Sequence, residues 1–209
     1  MLRLRHREYT AAVILIVTLV LAGCSAEKNT GASRFYNSLI SKYNIWFNGN
    51  EAYKAGVKKV RESHRDDYSE LLPVFEYSAA ESARTASSDM ERAVQKASKV
   101  IALHSITARP EEKSRRNASD RSEEFYNRRE FNEWVDDSYL LMGKAQFYLK
   151  NFMAARSSLS FAVSIATDPD LITEAGIWLA RIQPEEGNYT EASRLLQEQA
   201  SPENMSRAL

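Results

Sequence analysis

The most regular pattern of apolar and polar residues runs from Trp134 to Ala166. Its first half repeats at helical spacing, i, i+3, i+4 and i+7, with these positions on one face: Tyr139, Met142, Gly143 and Gln146. After Asn151, a turn-prone residue, a second helical face follows: Phe152, Ala155, Leu159 and Ala162. Small residues let two helix axes approach closely, while the larger residues fill the grooves between them. The segment therefore predicts an antiparallel helical hairpin.

The same spacing occurs in two further places. The first copy has the same intervals between its residues as the set Tyr139, Met142, Gln146 and Ala155, and it consists of Tyr36, Leu39, Tyr43 and Ala52. Within it, Asn48-Gly49-Asn50 predicts the turn between two helices. Near the C-terminal end, Gly187-Asn188 predicts a turn before a helix with this inner face: Tyr189, Ala192 and Leu196. Since one hairpin cannot bury its apolar face alone, the repetition predicts neighbouring hairpins stacked as a short all-α solenoid.

Changes in composition divide the chain into segments. We expect a short polar tether over residues 24–32 and a degenerate helical region over 33–106. A polar loop around Pro110 is expected over 107–125, and the better-formed repeats over 126–209. The last predicted helix starts at Pro202 and has no polar capping helix after it. We therefore expect the array to be truncated.

Residues 1–23 have the layout of a secretory signal peptide. Arg3, Arg5 and Arg7 precede an apolar run over 11–21, which is shorter than the roughly 20 residues that span a bilayer comfortably. Small residues follow at Ala22 and Gly23, before Cys24, the only cysteine of the chain. An internal disulfide is therefore impossible.

Composition and charge narrow the function classes. Seven glycines and five prolines in 209 residues are few, which favours helices over an all-β sandwich. The 28 basic and 28 acidic residues balance, so no basic excess supports nucleic-acid binding.

Candidate catalytic and metal-binding residues are sparse. His64 and His104 have no cysteine or second histidine at ligand spacing. The acidic pairs Asp66-Asp67 and Asp136-Asp137 are interpreted as helix-start residues, which the helix dipole favours, rather than as a catalytic pair. No phosphate-binding loop, nucleophile elbow or zinc-protease motif is present. We expect a protein without enzymatic activity, cofactor, metal or small-molecule substrate.

Trp46 and Phe47 are candidates for contact with a protein partner. Adjacent residues of a helix cannot both face one core, so one of the two is expected at the surface. Stacked helix pairs form concave surfaces that suit extended partners.

The hairpins resemble the tetratricopeptide repeat, whose period is about 34 residues. Tyr139, Met142 and Gly143 stand at the large, apolar and small positions of the first repeat helix. Ala155, Leu159 and Ala162 stand at those of the second helix.

Leu21-Ala22-Gly23-Cys24 resembles the bacterial lipobox. The resemblance implies signal-peptidase recognition of Leu21, Ala22 and Gly23, and lipidation of Cys24 as the first mature residue. Ser25-Ala26-Glu27-Lys28 lacks a dense acidic cluster that would direct surface export. We therefore expect an outer-membrane anchor facing the periplasm.

Taken together, the chain resembles the PorW/SprE-type lipoproteins of Bacteroidetes gliding motility and type IX secretion. The resemblance rests on several segments in order: 21–24, 33–56 with Phe47-Asn48-Gly49-Asn50-Glu51-Ala52-Tyr53, Asp66-Asp67-Tyr68, Leu71-Leu72-Pro73, Leu103-His104-Ser105-Ile106, and Leu141–Gln146 followed by Tyr148. It implies a non-enzymatic scaffold whose partners are components of the secretion and motility machinery. Two alternatives remain open, namely a SusD-like glycan-binding lipoprotein and a BamD-like outer-membrane assembly factor.

Overall fold

The computed structural model describes residues 29–69, 72, 75–110 and 123–199, and every regular element within them is helical. The predicted all-α fold is confirmed. The helices are α1 (Gly31–Ile40), α2 (Phe47–Ser63), α3 (Ala80–Thr85), α4 (Ser87–His104), α5 (Glu123–Asn127), α6 (Trp134–Tyr148), α7 (Phe152–Ile165), α8 (Pro169–Glu185) and α9 (Tyr189–Gln199). A π-helical segment (Ser41–Trp46) joins α1 to α2, and a short 3-10 turn (Glu76–Ser78) precedes α3.

The predicted turn at Asn48-Gly49-Asn50 is wrong, because α1, the π-helical segment and α2 form one uninterrupted helix. Gly49 serves a close helix contact there. A Cβ atom on Gly49 would lie 2.9 Å from Cβ of Lys96 in α4 and 3.2 Å from Cδ2 of Leu141 in α6. The glycine that sequence reasoning assigned to a turn is instead required for packing.

The absence of this turn also corrects the packing role predicted for Tyr36, Leu39 and Tyr43. These side chains are 60%, 45% and 61% exposed, because no second helix folds back onto them at residue 48. Ala52, the fourth member of the set, is buried in the main core.

The π-helical segment keeps the buried face of this long helix in register. Buried positions recur every four residues, at Asn37, Ser41, Ile45 and Gly49. An α-helix with 3.6 residues per turn would rotate such a row steadily away from the core. The wider π turn adds residues per turn and cancels that rotation locally.

The central hairpin pairs α6 with α7 around Gly143. The Asn151 side chain caps α7 by accepting a hydrogen bond from the Ala154 N–H at 3.3 Å. A Cβ atom on Gly143 would lie 2.6 Å from Cγ of Leu159, so the two helices meet at a point where only glycine fits. Ala155, Leu159 and Ala162 are fully buried along this contact.

Helix α6 lies at the centre of the molecule, in contact with α2, α4, α7 and α8. At its C-terminal end, the fully buried ring of Phe147 stands 5.1 Å from the ring of Tyr77 and 5.3 Å from that of Trp178. These aromatic contacts join the N-terminal half of the chain to the repeats.

In the hairpin of α8 and α9, a helix cap begins α8 and a glycine turn connects the two helices. The Asp168 side chain accepts a hydrogen bond from the Asp170 N–H at 3.0 Å, and Pro169 occupies the first helical turn. Gly187 takes a φ of 81° between the helices. In α9, Ala192 is buried, whereas Tyr189 and Leu196 are 69% and 46% exposed. The packing predicted for Tyr189 and Leu196 is therefore corrected, since α9 packs mainly against α8 alone.

Several segment boundaries differ from the expected ones. The first helix begins at Gly31, inside the tether predicted for 24–32, and Asn29 is buried with its Nδ2 donating to the Ala108 carbonyl at 2.7 Å. Helix α5 starts within the loop predicted for 107–125. The signal peptide, Leu21, Ala22, Gly23, Cys24 and the helix predicted from Pro202 lie outside the described residues.

Substituting Gly143→Ala should lower the free energy of unfolding by about 1–3 kcal/mol, the usual cost of overpacking a tight core. The new methyl would collide with a branched carbon of Leu159, and this outweighs the gain of up to about 1 kcal/mol in helix propensity. Urea unfolding monitored by circular dichroism measures the change. Gly31→Ala is the control, because the nearest atom there is 3.9 Å away. A Gly143→Ala protein as stable as the wild type would contradict the assigned contact.

Candidate protein-binding surface

An exposed row of apolar side chains follows the outer face of the N-terminal helix. We define this aromatic stripe by five residues that are each at least 45% exposed: Phe35, Tyr36, Leu39, Tyr43 and Phe47. They occupy the side opposite the buried row that begins at Asn37 and Ser41. A contiguous exposed apolar patch on a folded protein usually marks an interaction site.

Trp46 and Phe47, the residues predicted for partner contact, point to different environments. The Trp46 ring packs against the core and lies 5.1 Å from the ring of Trp134, whereas Phe47 is 53% exposed. The indole N–H groups of Trp46 and Trp134 are buried without a hydrogen-bond acceptor among the described residues. Phe47 is thus the member of the pair that is available to a partner.

Two open cavities flank the start of α6. One, of about 290 Å³, is lined mainly by apolar side chains, including Ile101, Tyr139 and Phe161. The rings of Tyr139 and Phe161 are 4.5 Å apart. The other, of about 320 Å³, is more polar and includes Phe35 of the aromatic stripe. Both share Glu130 and Ile165 in their linings, so they form adjacent recesses on one end of the helical stack.

Glu130 organises the wall between these recesses. Its Oε1 accepts hydrogen bonds from the backbone N–H groups of Ile106, Phe131 and Asn132 at 2.7, 3.0 and 2.9 Å, and its Oε2 accepts one from Ser105 Oγ at 2.5 Å. A carboxylate that accepts several such bonds holds chain segments in place strongly. Sequence reasoning missed Glu130, because a single acid in a polar segment carries no periodic signal.

Asn132 extends the same network to the long N-terminal helix. It is 1% exposed, and its Nδ2 donates to Ser41 Oγ at 2.9 Å and to the His104 carbonyl at 2.8 Å. The His104 Nδ1 lies 2.8 Å from Oδ1 of Asn37, and burial lowers the pKa of His104. This histidine therefore has a structural hydrogen-bond partner.

Histidine and acidic side chains are the candidates for metal or acid–base chemistry. Within the described ranges, no group of three histidine, cysteine, aspartate or glutamate side chains could hold a metal ion. His64 Nε2 lies 3.1 Å from Oδ1 of Asp66, just after the end of α2.

Asp136 and Asp137 are partly buried at the start of α6, and their pKa values are raised. Burial raises the pKa of Asp136 to about 6. Burial, together with the negative charges of Asp136 and Asp168, raises the pKa of Asp137 to about 7. The favourable field expected at a helix start is outweighed by desolvation and like-charge repulsion. These two acids contribute repulsion near neutral pH.

No helix in the described part of the chain is both long enough and apolar enough to cross a bilayer.

Residues 74–207 match the model of the tetratricopeptide repeat-like domain, which covers the region from just before the 3-10 turn to beyond α9. No curated protein matches the chain.

Replacing Asp137 by asparagine should stabilise the protein at about pH 8 and have little effect at about pH 4. The folded-state pKa of about 7 lies above the ordinary value of 3.8. The folded protein therefore binds more protons than the unfolded chain between those values, so wild-type stability falls as pH rises through this window. Urea unfolding at both pH values tests the expectation.

Asp67→Asn is the matched control for this measurement. Hydrogen bonds from Ser69 lower the pKa of Asp67, so removing its charge should not stabilise the protein at about pH 8. If the free energy of unfolding of Asp137→Asn depended on pH in the same way as that of the wild type, Asp137 would not be desolvated in the folded protein.

Proposed function

The chain belongs to the tetratricopeptide repeat-like domain family, and from this premise we propose that it is a non-enzymatic, outer-membrane-anchored scaffold lipoprotein facing the periplasm. It supports type IX secretion and gliding motility by holding protein components together. The observation that carries the scaffold proposal is the family match over residues 74–207, combined with helices that leave apolar side chains exposed.

The stacked helices support a protein-binding role. Helix α6 is packed on several sides by α2, α4, α7 and α8, so the available surface lies at the end of the stack rather than along α6. There the recess lined by Ile101, Tyr139 and Phe161 offers apolar contact area. Buried aromatic anchors set in such recesses commonly provide most of the binding energy of protein interfaces.

The lipid anchor is supported by the sequence at the N-terminus. Leu21, Ala22 and Gly23 precede the only cysteine, Cys24, after a basic and apolar leader. A single acyl chain binds membranes only marginally, whereas two or more on one cysteine hold a protein durably. The assignment to secretion and motility is supported by the ordered resemblance to PorW/SprE-type lipoproteins along most of the chain.

A Cys24→Ala substitution should release the protein from the membrane fraction, since it removes the thiol that would carry the acyl chains. Fractionation of cells followed by immunoblotting of the full-length gene product measures the change. Ser25→Ala, at the neighbouring position, is the control and should remain membrane-bound. Continued membrane retention of Cys24→Ala would contradict the anchor.

The scaffold role is tested by deleting the gene and by affinity capture of the tagged protein from membranes. We expect loss of cargo secretion and of gliding, and capture of periplasmic components of the secretion ring. Unchanged secretion after deletion would exclude the proposed role. A melting-temperature shift with soluble oligosaccharide would instead indicate glycan binding, and a general loss of barrel proteins would indicate an assembly factor.

A further inference from the structure

The aromatic stripe lies in a part of the chain that contains no acidic residue. Between Glu27 and Glu51 the sequence has no aspartate or glutamate, and its charged residues are all cations: Lys28, Arg34 and Lys42. Acids make up half of the charged residues of the whole chain, so the absence of acids between Glu27 and Glu51 distinguishes this segment. Glu133, the residue before α6, reaches the edge of this helix and accepts a hydrogen bond from Ser38 Oγ at 2.8 Å. The stripe itself carries apolar side chains with Lys42 beside them, a combination that complements an anionic lipid surface.

The helix changes character abruptly where the stripe ends. Beyond Phe47, the exposed positions of α2 carry Glu51, Lys54, Lys58 and Glu62. These side chains pair along the helix, with Lys54 Nζ 2.9 Å from Glu51 Oε1 and Lys58 Nζ 3.6 Å from Glu62 Oε1. Such i,i+3 and i,i+4 pairs are typical of a solvated face. The outer face of this continuous helix is therefore apolar in its first half and charged in its second half.

The side chains of the stripe suit the interfacial zone of a bilayer. Tyr36 and Tyr43 each have an apolar ring and a polar hydroxyl, which is the combination enriched at membrane–water boundaries. Lys42 is exposed, and its Nζ lies 5.3 Å from the ring centroid of Tyr43 and 4.9 Å from that of Trp134. This position places an ammonium group beside the stripe, within reach of lipid phosphates.

The short segment between the proposed lipid anchor at Cys24 and the first described residues keeps the aromatic stripe close to the membrane. The six residues from Cys24 to Asn29 can span at most about 21 Å, and the stripe from Phe35 to Phe47 is about 18 Å long at 1.5 Å per residue. A lipidated Cys24 therefore holds Asn29 within one tether length of the headgroups, and the stripe begins six residues further on, at Phe35. A soluble protein partner would have to compete for the stripe with the membrane, which is always nearby.

We propose that the aromatic stripe lies on the lipid surface, with Phe35, Leu39 and Phe47 in the interfacial apolar layer and Lys42 on anionic headgroups. This inference rests on the proposed lipidation of Cys24. The contact fixes the long helix flat against the membrane and orients the tetratricopeptide repeat-like region away from the bilayer. The lipid anchor and the stripe together then set the orientation of the protein relative to the membrane as well as its location.

The test places a fluorescent thiol label at Tyr43→Cys in the mature, acylated protein reconstituted in vesicles of phosphatidylethanolamine and phosphatidylglycerol. Acylated Cys24 has no free thiol, so the introduced cysteine is the only labelled site. The matched control is Lys58→Cys, an exposed position on the charged half of the same helix. We expect lipid-borne quenchers to act severalfold more strongly at position 43 than at 58, and aqueous iodide to show the reverse order.

Phe47→Cys serves as a second labelled position, because both it and Tyr43 are exposed and neither substitution removes core packing. Equal quenching at 43, 47 and 58 in an acylated protein overturns the lipid contact and leaves the anchor standing. Shielding of position 43 only after membrane-protein extract is added overturns it in favour of a protein partner. A mature N-terminus shown by mass spectrometry to lack acyl chains overturns both the anchor and this inference.

Discussion

The fold depends on how closely helix axes approach α6. At Gly143 a single added carbon would meet Leu159 at 2.6 Å, and at Gly49 it would meet Leu141 of the same helix at 3.2 Å. Glycine therefore allows two helices to approach α6 closely: Gly143 of α6 itself admits α7, and Gly49 of the long N-terminal helix admits α6 on the other side. Since protein interiors are packed to crystal-like density, these contacts determine where every other element can lie.

The N-terminal helix shows how this close packing changes the meaning of a sequence signal. Asn48-Gly49-Asn50 has the composition of a turn, yet the packing energy gained where Gly49 touches α4 and α6 keeps the chain helical. The π-helical segment just before it maintains the register of the buried row. As a result, the helix has a fully buried inner face and leaves the aromatic stripe without an intramolecular partner.

The surface available for interaction is positioned by polar contacts as much as by apolar packing. Glu130 and Asn132 connect the end of α4, the start of α6 and the π-helical segment through hydrogen bonds. The cost of leaving such buried groups unsatisfied favours this arrangement of the junction. The two recesses lie beside it, and the negative charge of Asp136 and Asp137 at the start of α6 increases as the pH rises.

Local periodicity by itself determined the all-α class, the central hairpin of α6 and α7, and the helix boundary at Asn151, because helical spacing and capping depend on neighbours in sequence. Only the tertiary structure decided whether Gly49 lies in a turn or in a helix contact. It also decided which of Trp46 and Phe47 is exposed, and it placed Tyr36 and Tyr43 on the outer face. Those outcomes depend on which distant helix competes for the same face. Glu130 likewise gains its role only when residues far apart in sequence bring their N–H groups to one carboxylate.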